Sequence, residues 1–246
     1  MFKKNIYTIV SNELIAKNVY KMVLKGDTKY ITKPGQFINI ELAGKYLRRP
    51  ISVCDFDRNS ITIIYKVVGS GTEQMSRMKK SEKLDVLTGL GNGFSIEKGG
   101  REPLLVGGGV GVPPLYYLAK KLIATGLTPK VVLGFNSAQD VFFKDEFIAL
   151  GCETYVATAD GSAGQKGFVT DVIVYNNLRY DYTYACGPIP MLEALYYIDN
   201  LGGQFSFEEK MGCGFGACMG CSCKTKYGNK RICKDGPVLE KEEIRC

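Results

Sequence analysis

Residues 104–126 read LLVGGGVGVPPLYYLAKKLIATG, and this stretch decides the fold. Leu104-Leu105-Val106 is a short apolar run of the kind that fills a buried strand. Gly107-Gly108-Gly109-Val110-Gly111 interrupts it, and Pro113-Pro114 suits the first turn of a helix, where no backbone N–H is needed. Leu115, Leu118, Ala119, Leu122 and Ile123 then fall at i, i+3, i+4, i+7 and i+8 on one helical face, and Gly126 ends the helix. Strand, glycine turn and helix make the repeating unit of a parallel α/β domain. Glycines in such a turn let the backbone approach a pyrophosphate, and the helix N-terminus adds N–H donors and a favourable dipole. The GxGxxG fingerprint is absent, so the same residues also fit a plain strand-to-helix turn.

Working outward, Val131-Val132-Leu133 reads as the next buried strand. Tyr182-Thr183-Tyr184-Ala185 reads as another, running into Cys186-Gly187-Pro188 and a helix from about Pro190-Met191-Leu192. Cys186 thereby lies at a strand's C-terminal edge, where open α/β sheets bind ligands. Upstream of Gly99-Gly100 the rhythm changes. Short alternating runs such as Phe37-Ile38-Asn39-Ile40 and Ile61-Thr62-Ile63-Ile64-Tyr65, separated by turns at Pro34-Gly35 and Arg58-Asn59, predict an antiparallel barrel. From about Ser206 the chain is rich in Gly, Cys and Lys with little periodicity, as expected where metal ligands replace a hydrophobic core. Three segments are expected: a barrel over 1–98, an α/β domain over 99–205 and a metal-binding loop domain over 206–246.

The 246 residues are 45% apolar, enough to bury a core and to exclude general disorder. The formal charge of +7 is dispersed, which suits anionic cofactors or an acidic partner and does not point to nucleic acid. The first apolar stretch breaks at Ser11-Asn12-Glu13 and no later one approaches membrane-spanning length, so no signal peptide, no membrane insertion and a cytoplasmic protein are expected. There is no histidine, which removes Ser/His and Cys/His catalysis, mixed Cys/His zinc sites and imidazole proton shuttles. The chemistry must then be carried largely by cofactors.

Nine cysteines are present, and Cys213, Cys218, Cys221, Cys223 and Cys233 crowd near the C-terminus. Such a cluster suggests a metal site in a reducing compartment rather than a disulfide scaffold. Cys213-x4-Cys218-x2-Cys221-x11-Cys233 follows the order of plant-type [2Fe-2S] ligation, with a shortened last interval. The small residues between Cys213 and Cys218 let backbone N–H groups reach the sulfurs. A four-cysteine zinc site fits the residue types but usually pairs two C-x2-C knuckles. Cys223 is expected to stand outside the ligand set, Cys54 and Cys152 to be small core residues, and Cys246 to be an exposed tail thiol.

In the barrel half, the Arg49 guanidinium of Arg49-Pro50-Ile51-Ser52 can offer forked donors to a phosphate, and Ser52 a hydroxyl. Ser70-Gly71-Thr72-Glu73 fits a helix start with a capping box from Ser70 to Glu73, again presenting N–H groups to a diphosphate. Gly91-Asn92-Gly93-Phe94 reads either as a turn near the bound group or as a plain turn. In the α/β half, Gly134 to Asp140 lacks an Arg to hold a 2′-phosphate and contains an acid, which predicts NADH over NADPH.

The order R-P-x-S, GGGVGVPP, Cys186-Gly187-Pro188, then the cysteine loop ending Cys233-Lys234-Asp235-Gly236-Pro237, resembles the ferredoxin reductase-like family over nearly the whole chain. Within it the chain resembles the electron-transfer subunits of B-type dihydroorotate dehydrogenases, with Met211-Gly212-Cys213-Gly214 and the CKDGP ending as the most specific matches. The resemblance implies FAD on Arg49, Pro50, Ile51, Ser52, Ile64, Tyr65, Lys66, Gly71 and Thr72. It implies NAD(H) on Gly107, Gly108, Gly109, Gly111, Cys186, Gly187 and Pro188, with Ser52 and Cys186 nearest the hydride. It implies a [2Fe-2S] cluster on Cys213, Cys218, Cys221 and Cys233. The expected partner is an FMN-containing catalytic subunit in a heterotetramer of two plus two, serving pyrimidine biosynthesis. A small subunit of a ferredoxin:NADP oxidoreductase or sulfhydrogenase would share the flavin and nicotinamide motifs. A zinc-stabilised nucleotide-binding interaction module is the alternative of another class.

Overall fold

The computed structural model describes residues 2–245, so the expectation for Cys246 lies outside the described residues. Strands β1 (Lys3–Ala16), β2 (Val19–Lys25), β3 (Phe37–Ile40), β4 (Arg49–Phe56), β5 (Ser60–Lys66) and β6 (Lys83–Leu90) close an antiparallel barrel in the order β1-β2-β5-β4-β3-β6. Alternation decides which way each side chain points. Ile61, Ile63 and Tyr65 of β5 and Ile38 and Ile40 of β3 fill the barrel with Tyr7, Met22 and Leu24, all nearly inaccessible to solvent. Their neighbours in sequence, Ile64 and Phe37, face outward into cores shared with the rest of the molecule. A seven-residue helix, α1 (Ser70–Ser76), lies between β5 and β6.

The second half is a seven-stranded sheet of β7 (Pro103–Gly108), β8 (Lys130–Phe135), β9 (Thr154–Thr158), β10 (Gln165–Lys166), β11 (Tyr182–Cys186), β12 (Gly202–Ser206) and β15 (Val238–Glu240), in the order β10-β9-β8-β7-β11-β12-β15. All pairs are parallel except β12 with β15. Helix α2 (Pro113–Ala124) buries Leu115, Leu118, Ala119 and Leu122 against β7, β8 and the barrel, as their spacing predicts. The other helices are α3 (Lys144–Ala149), α4 (Val169–Tyr175) and α5 (Ile189–Ile198). Cys54 and Cys152 are both buried in the core around α2.

The cysteine segment is less independent than its composition suggests. It forms a hairpin of β13 (Ser222–Thr225) and β14 (Gly228–Arg231), then sends β15 back to the edge of the large sheet. Ile232, Leu239 and Ile244 join Phe205, Leu192 and Phe37 in one core, so hydrophobic packing as well as ligation organises it. None of the helices is long and apolar enough to cross a membrane among the described residues.

Candidate functional site

The sheet order reverses at β7, which has β8 on one side and β11 on the other; this is the switch point where open α/β sheets leave a crevice. Gly107, one residue before the end of β7, stands directly opposite Cys186 of β11, so the glycine turn and Cys186-Gly187-Pro188 abut there. Their contact requires glycine. A Cβ on Gly111 would stand 2.2 Å from the Cys186 carbonyl oxygen, and one on Gly108 would stand 2.7 Å from Met191 Sδ and 2.9 Å from Pro188 Cδ. Gly109 adopts φ +51, open to any approaching group. Cys186 is buried, and burial, reinforced by the Glu208 charge, pushes its thiol up to about 12. It is therefore a neutral, compact neighbour to whatever enters the crevice and not a thiolate nucleophile.

The barrel places its own motif against the same region. Strand β4 packs on α2 through a Lys120–Asp55 ion pair at 2.7 Å and the Phe56 and Tyr117 rings, 4.7 Å apart. The 3-10 turn at Gly109–Gly111 touches β5. Arg49 reaches across α1, held by the Leu47 carbonyl and lying over Gly71. Ser52 is half-buried and pairs with Phe37 across the β3–β4 ladder. Ile64 faces the core shared with α2, whereas the Tyr65 ring is turned inward, its hydroxyl donating to Asn12 Oδ1. Tyr65 can thus serve a bound group only through its backbone. Lys66 lies 3.7 Å from Asp140, whose other oxygen accepts the Ser137 hydroxyl.

The capping box expected from Ser70 to Glu73 does not form. Gly69 is the N-cap, and the Thr72 hydroxyl accepts the N–H groups of Val68 and Gly69 at 3.0 and 3.3 Å. The Glu73 N–H goes to the Gly69 carbonyl, and Ser70 receives Lys45 Nζ instead while Glu73 pairs with Arg77.

The four cysteines at ligand spacing form two facing pairs. Cys213 meets Cys218, and its sulfur accepts the N–H groups of Ala217 (3.2 Å) and Cys218 (3.4 Å). Burial opposes ionisation, but these N–H groups, that of Phe215 and the Cys218 thiol lower the Cys213 thiol to about 6. Cys221 meets Cys233, whose N–H donates to Cys221 Sγ at 3.4 Å; burial first, and then the Cys221 thiol, raise Cys233 to about 12. Gly214 and Gly216, at φ +76 and +89, give the loop left-handed turns that L side chains rarely adopt. Cys223 lies in β13, two residues beyond Cys221, partly buried against the sheet core and in neither pair. Among the described residues, no three Cys, Asp or Glu groups close on a single metal-ion position. Two pairs of thiols suit a two-iron cluster, each iron taking one pair, better than a single zinc that needs four converging ligands.

Sequence inspection missed the residues that hold this segment on the barrel. Asn92 N–H donates to the Gly236 carbonyl (2.7 Å), its Nδ2 to the Val238 and Asp235 carbonyls (2.7 and 3.2 Å), and its Oδ1 accepts from Val238 N–H (3.1 Å). The flanking Gly91 and Gly93, at φ +77 and +72, were the visible signal of an unusual turn. Asn39 and Phe37 of β3 meet the other side of the loop, and no local pattern marks them.

Residues 208–245 match the model of the iron–sulfur cluster binding domain of dihydroorotate dehydrogenase B, and residues 105–196 that of the oxidoreductase NAD-binding domain. A dihydroorotate dehydrogenase B (NAD(+)) electron transfer subunit of Fusobacterium nucleatum subsp. nucleatum is 49% identical over 251 residues, covering 96% of each chain. One of Bacillus velezensis is 46% identical, covering 98% of this chain and 99% of that one. Among solved structures, that of an NADH-dependent reduced ferredoxin-NADP oxidoreductase superposes with a TM-score of 0.88 at 31% identity, covering 97% of this chain and 89% of that one. Phthalate dioxygenase reductase shares the fold, with a TM-score of 0.63 at 21% identity over 79% of this chain and 64% of that one. With full-length relatives at this identity, the chain belongs to the family of dihydroorotate dehydrogenase B (NAD(+)) electron transfer subunits.

Proposed function

We propose that this chain passes electrons between NAD(H) and the catalytic subunit of a dihydroorotate dehydrogenase, through FAD and a [2Fe-2S] cluster. The observation that carries the proposal is one shared face of the β3–β4 ladder. Phe37 belongs to the same buried core as Cys221 and Cys233, and directly opposite it in register stands Ser52 of the Arg49-Pro50-Ile51-Ser52 motif. Paired strands lie about 4.8 Å apart, so the flavin motif and the cysteine loop are neighbours through a single strand.

The division of labour follows the three segments, 1–98 for FAD, 99–205 for NAD(H) and 206–246 for the cluster. Arg49 and the N–H groups at Gly71 and Thr72 hold the flavin diphosphate, Pro50 and Ile51 shape its strand, and Ser52 offers its hydroxyl to the isoalloxazine edge. Ile64 and the backbone of Tyr65 and Lys66 line the flavin. Gly107, Gly108, Gly109 and Gly111 admit the dinucleotide backbone, while neutral Cys186, with Gly187 and Pro188, borders the nicotinamide. Cys213 with Cys218 and Cys221 with Cys233 hold the irons, and Cys223 is not a ligand. A bound flavin supplies the conversion between two-electron nicotinamide chemistry and one-electron iron–sulfur chemistry. NADH is the preferred nucleotide, the partner carries FMN in a two-plus-two heterotetramer, and the site of action is the cytoplasm.

The test is reconstitution. Alone, the purified chain should be red-brown and reduce artificial dyes with NADH, but should not oxidise dihydroorotate. Adding the FMN subunit should create NAD-linked dihydroorotate oxidation. Stoichiometric zinc without visible absorbance, or dihydroorotate oxidation by this chain alone, would refute the proposal.

A further inference from the structure

We infer that Asn39 is a positioning residue for the first cysteine pair, holding the Cys213 carbonyl so that the loop keeps the Ala217 and Cys218 N–H groups on the Cys213 sulfur. The inference rests on the functional reading of Cys213 as a cluster ligand. Asn39 is a polar residue 1% exposed, on the outer face of a strand whose inner positions, Ile38 and Ile40, are apolar. Its Nδ2 approaches the Cys213 carbonyl at 3.5 Å, and its Oδ1 is buried with no partner among the described residues. A buried amide with an unpaired oxygen is unfavourable for folding, which points to a role other than packing.

The surroundings are built to admit that amide. Arg48 anchors the Asn39 carbonyl at 3.2 Å and, with Lys4, pairs with Asp85, which fixes this part of β3. On the loop side Gly214 has φ +76, and a Cβ there would stand 2.2 Å from Asn39 Nδ2. Across the ladder Asn39 pairs with Pro50 of the flavin motif. Asn39 is thus one residue in contact with both the flavin strand and the first ligand. Residues that orient ligands and the charges beside a cluster govern its metal retention and potential.

Three variants test this in the purified full chain. Asn39→Asp keeps the volume but places a carboxylate by the loop, and should shift the cluster midpoint to lower potential in a titration followed by electron paramagnetic resonance. Asn39→Leu keeps the size and removes the donor, and should alter the visible circular dichroism and release iron to a chelator about tenfold faster, the scale on which partners of metal ligands act. Asn39→Ser, smaller and still polar, lets water take the place of the amide and should lie between Asn39→Leu and wild type in dichroism and iron release. Should the two larger changes fail to load iron, Asn39→Ser decides alone. Wild-type potential, dichroism and iron release in every iron-loaded variant would overturn the inference while leaving the functional reading standing. A wild-type chain that binds no [2Fe-2S] cluster would overturn both.

Discussion

Arg49 lies across the backbone of Gly71: a Cβ at residue 71 would stand 2.0 Å from Arg49 Nε and 2.6 Å from Cζ. The guanidinium is therefore parked over the start of α1, beside the N–H groups of its first turn, and only a glycine leaves it room. Gly71→Ala should push Arg49 aside and weaken FAD binding about tenfold or more, since a hydrogen bond to a charged group contributes about 1.5–3 kcal/mol. Gly69→Ala is the matched control, because Gly69 has φ −178 and nothing within 4 Å of its Cβ position. Flavin fluorescence titration of the apoprotein checks both, and equal affinity in the two variants would remove Arg49 from the phosphate site.

The paired geometry of the cysteines predicts a sharp division among five substitutions. Cys213→Ser, Cys218→Ser, Cys221→Ser and Cys233→Ser should each deplete a content of about two irons per chain, because a two-iron cluster draws on all four thiolates. Cys223→Ser should retain it, since Cys223 belongs to neither facing pair. Iron and acid-labile sulfide analysis reads the result, and iron loss in Cys223→Ser alone would reverse the assignment.

An acid-sensitive link fastens the end of the chain to the α/β sheet. Lys241, 6% exposed, places Nζ 2.8 Å from Asp199 Oδ1 and 2.9 Å from the Asp199 carbonyl. Burial would raise the Asp199 carboxyl, but Lys241, the Tyr180 hydroxyl and the Leu201 N–H hold it below its ordinary 3.8. A carboxylate depressed on folding stabilises fully above its unfolded value and loses that contribution as pH falls through the folded value. Lys241→Met should therefore cost about 1.5–2 kcal/mol at neutral pH, as loss of a charged hydrogen bond at a half-buried carboxylate does, and the difference from wild type should shrink below about pH 4. Urea unfolding of both proteins across pH 3–7 measures it; a pH-independent difference would place the effect in packing alone.

The two kinds of sheet were legible because they rest on local periodicity. The short apolar runs at Phe37–Ile40 and Ile61–Tyr65 mark strands, which prove to be buried on both faces where they meet the other cores, and the spacing of Leu115, Leu118, Ala119 and Leu122 marks the helix that covers β7. The cysteine spacing likewise carried its chemistry, because ligands within one short loop are constrained by chain geometry. Local rules failed at the start of α1, where the cap lies one residue earlier than expected: Gly69 is the N-cap, and the Thr72 hydroxyl accepts the N–H groups of Val68 and Gly69.

By itself the sequence determined the barrel, the parallel sheet, the glycine turn before α2 and a four-cysteine loop, since each depends on residues close together in the chain. Only the tertiary structure decided that Tyr65 turns into the barrel, that Cys186 sits opposite Gly107, and that Asn39 and Asn92 grip the two ends of the cysteine loop. Asn39 and Cys213 are 174 positions apart, and Asn92 and Val238 are 146. Contacts at that separation follow from strand order and register, which side-chain periodicity within one segment does not encode.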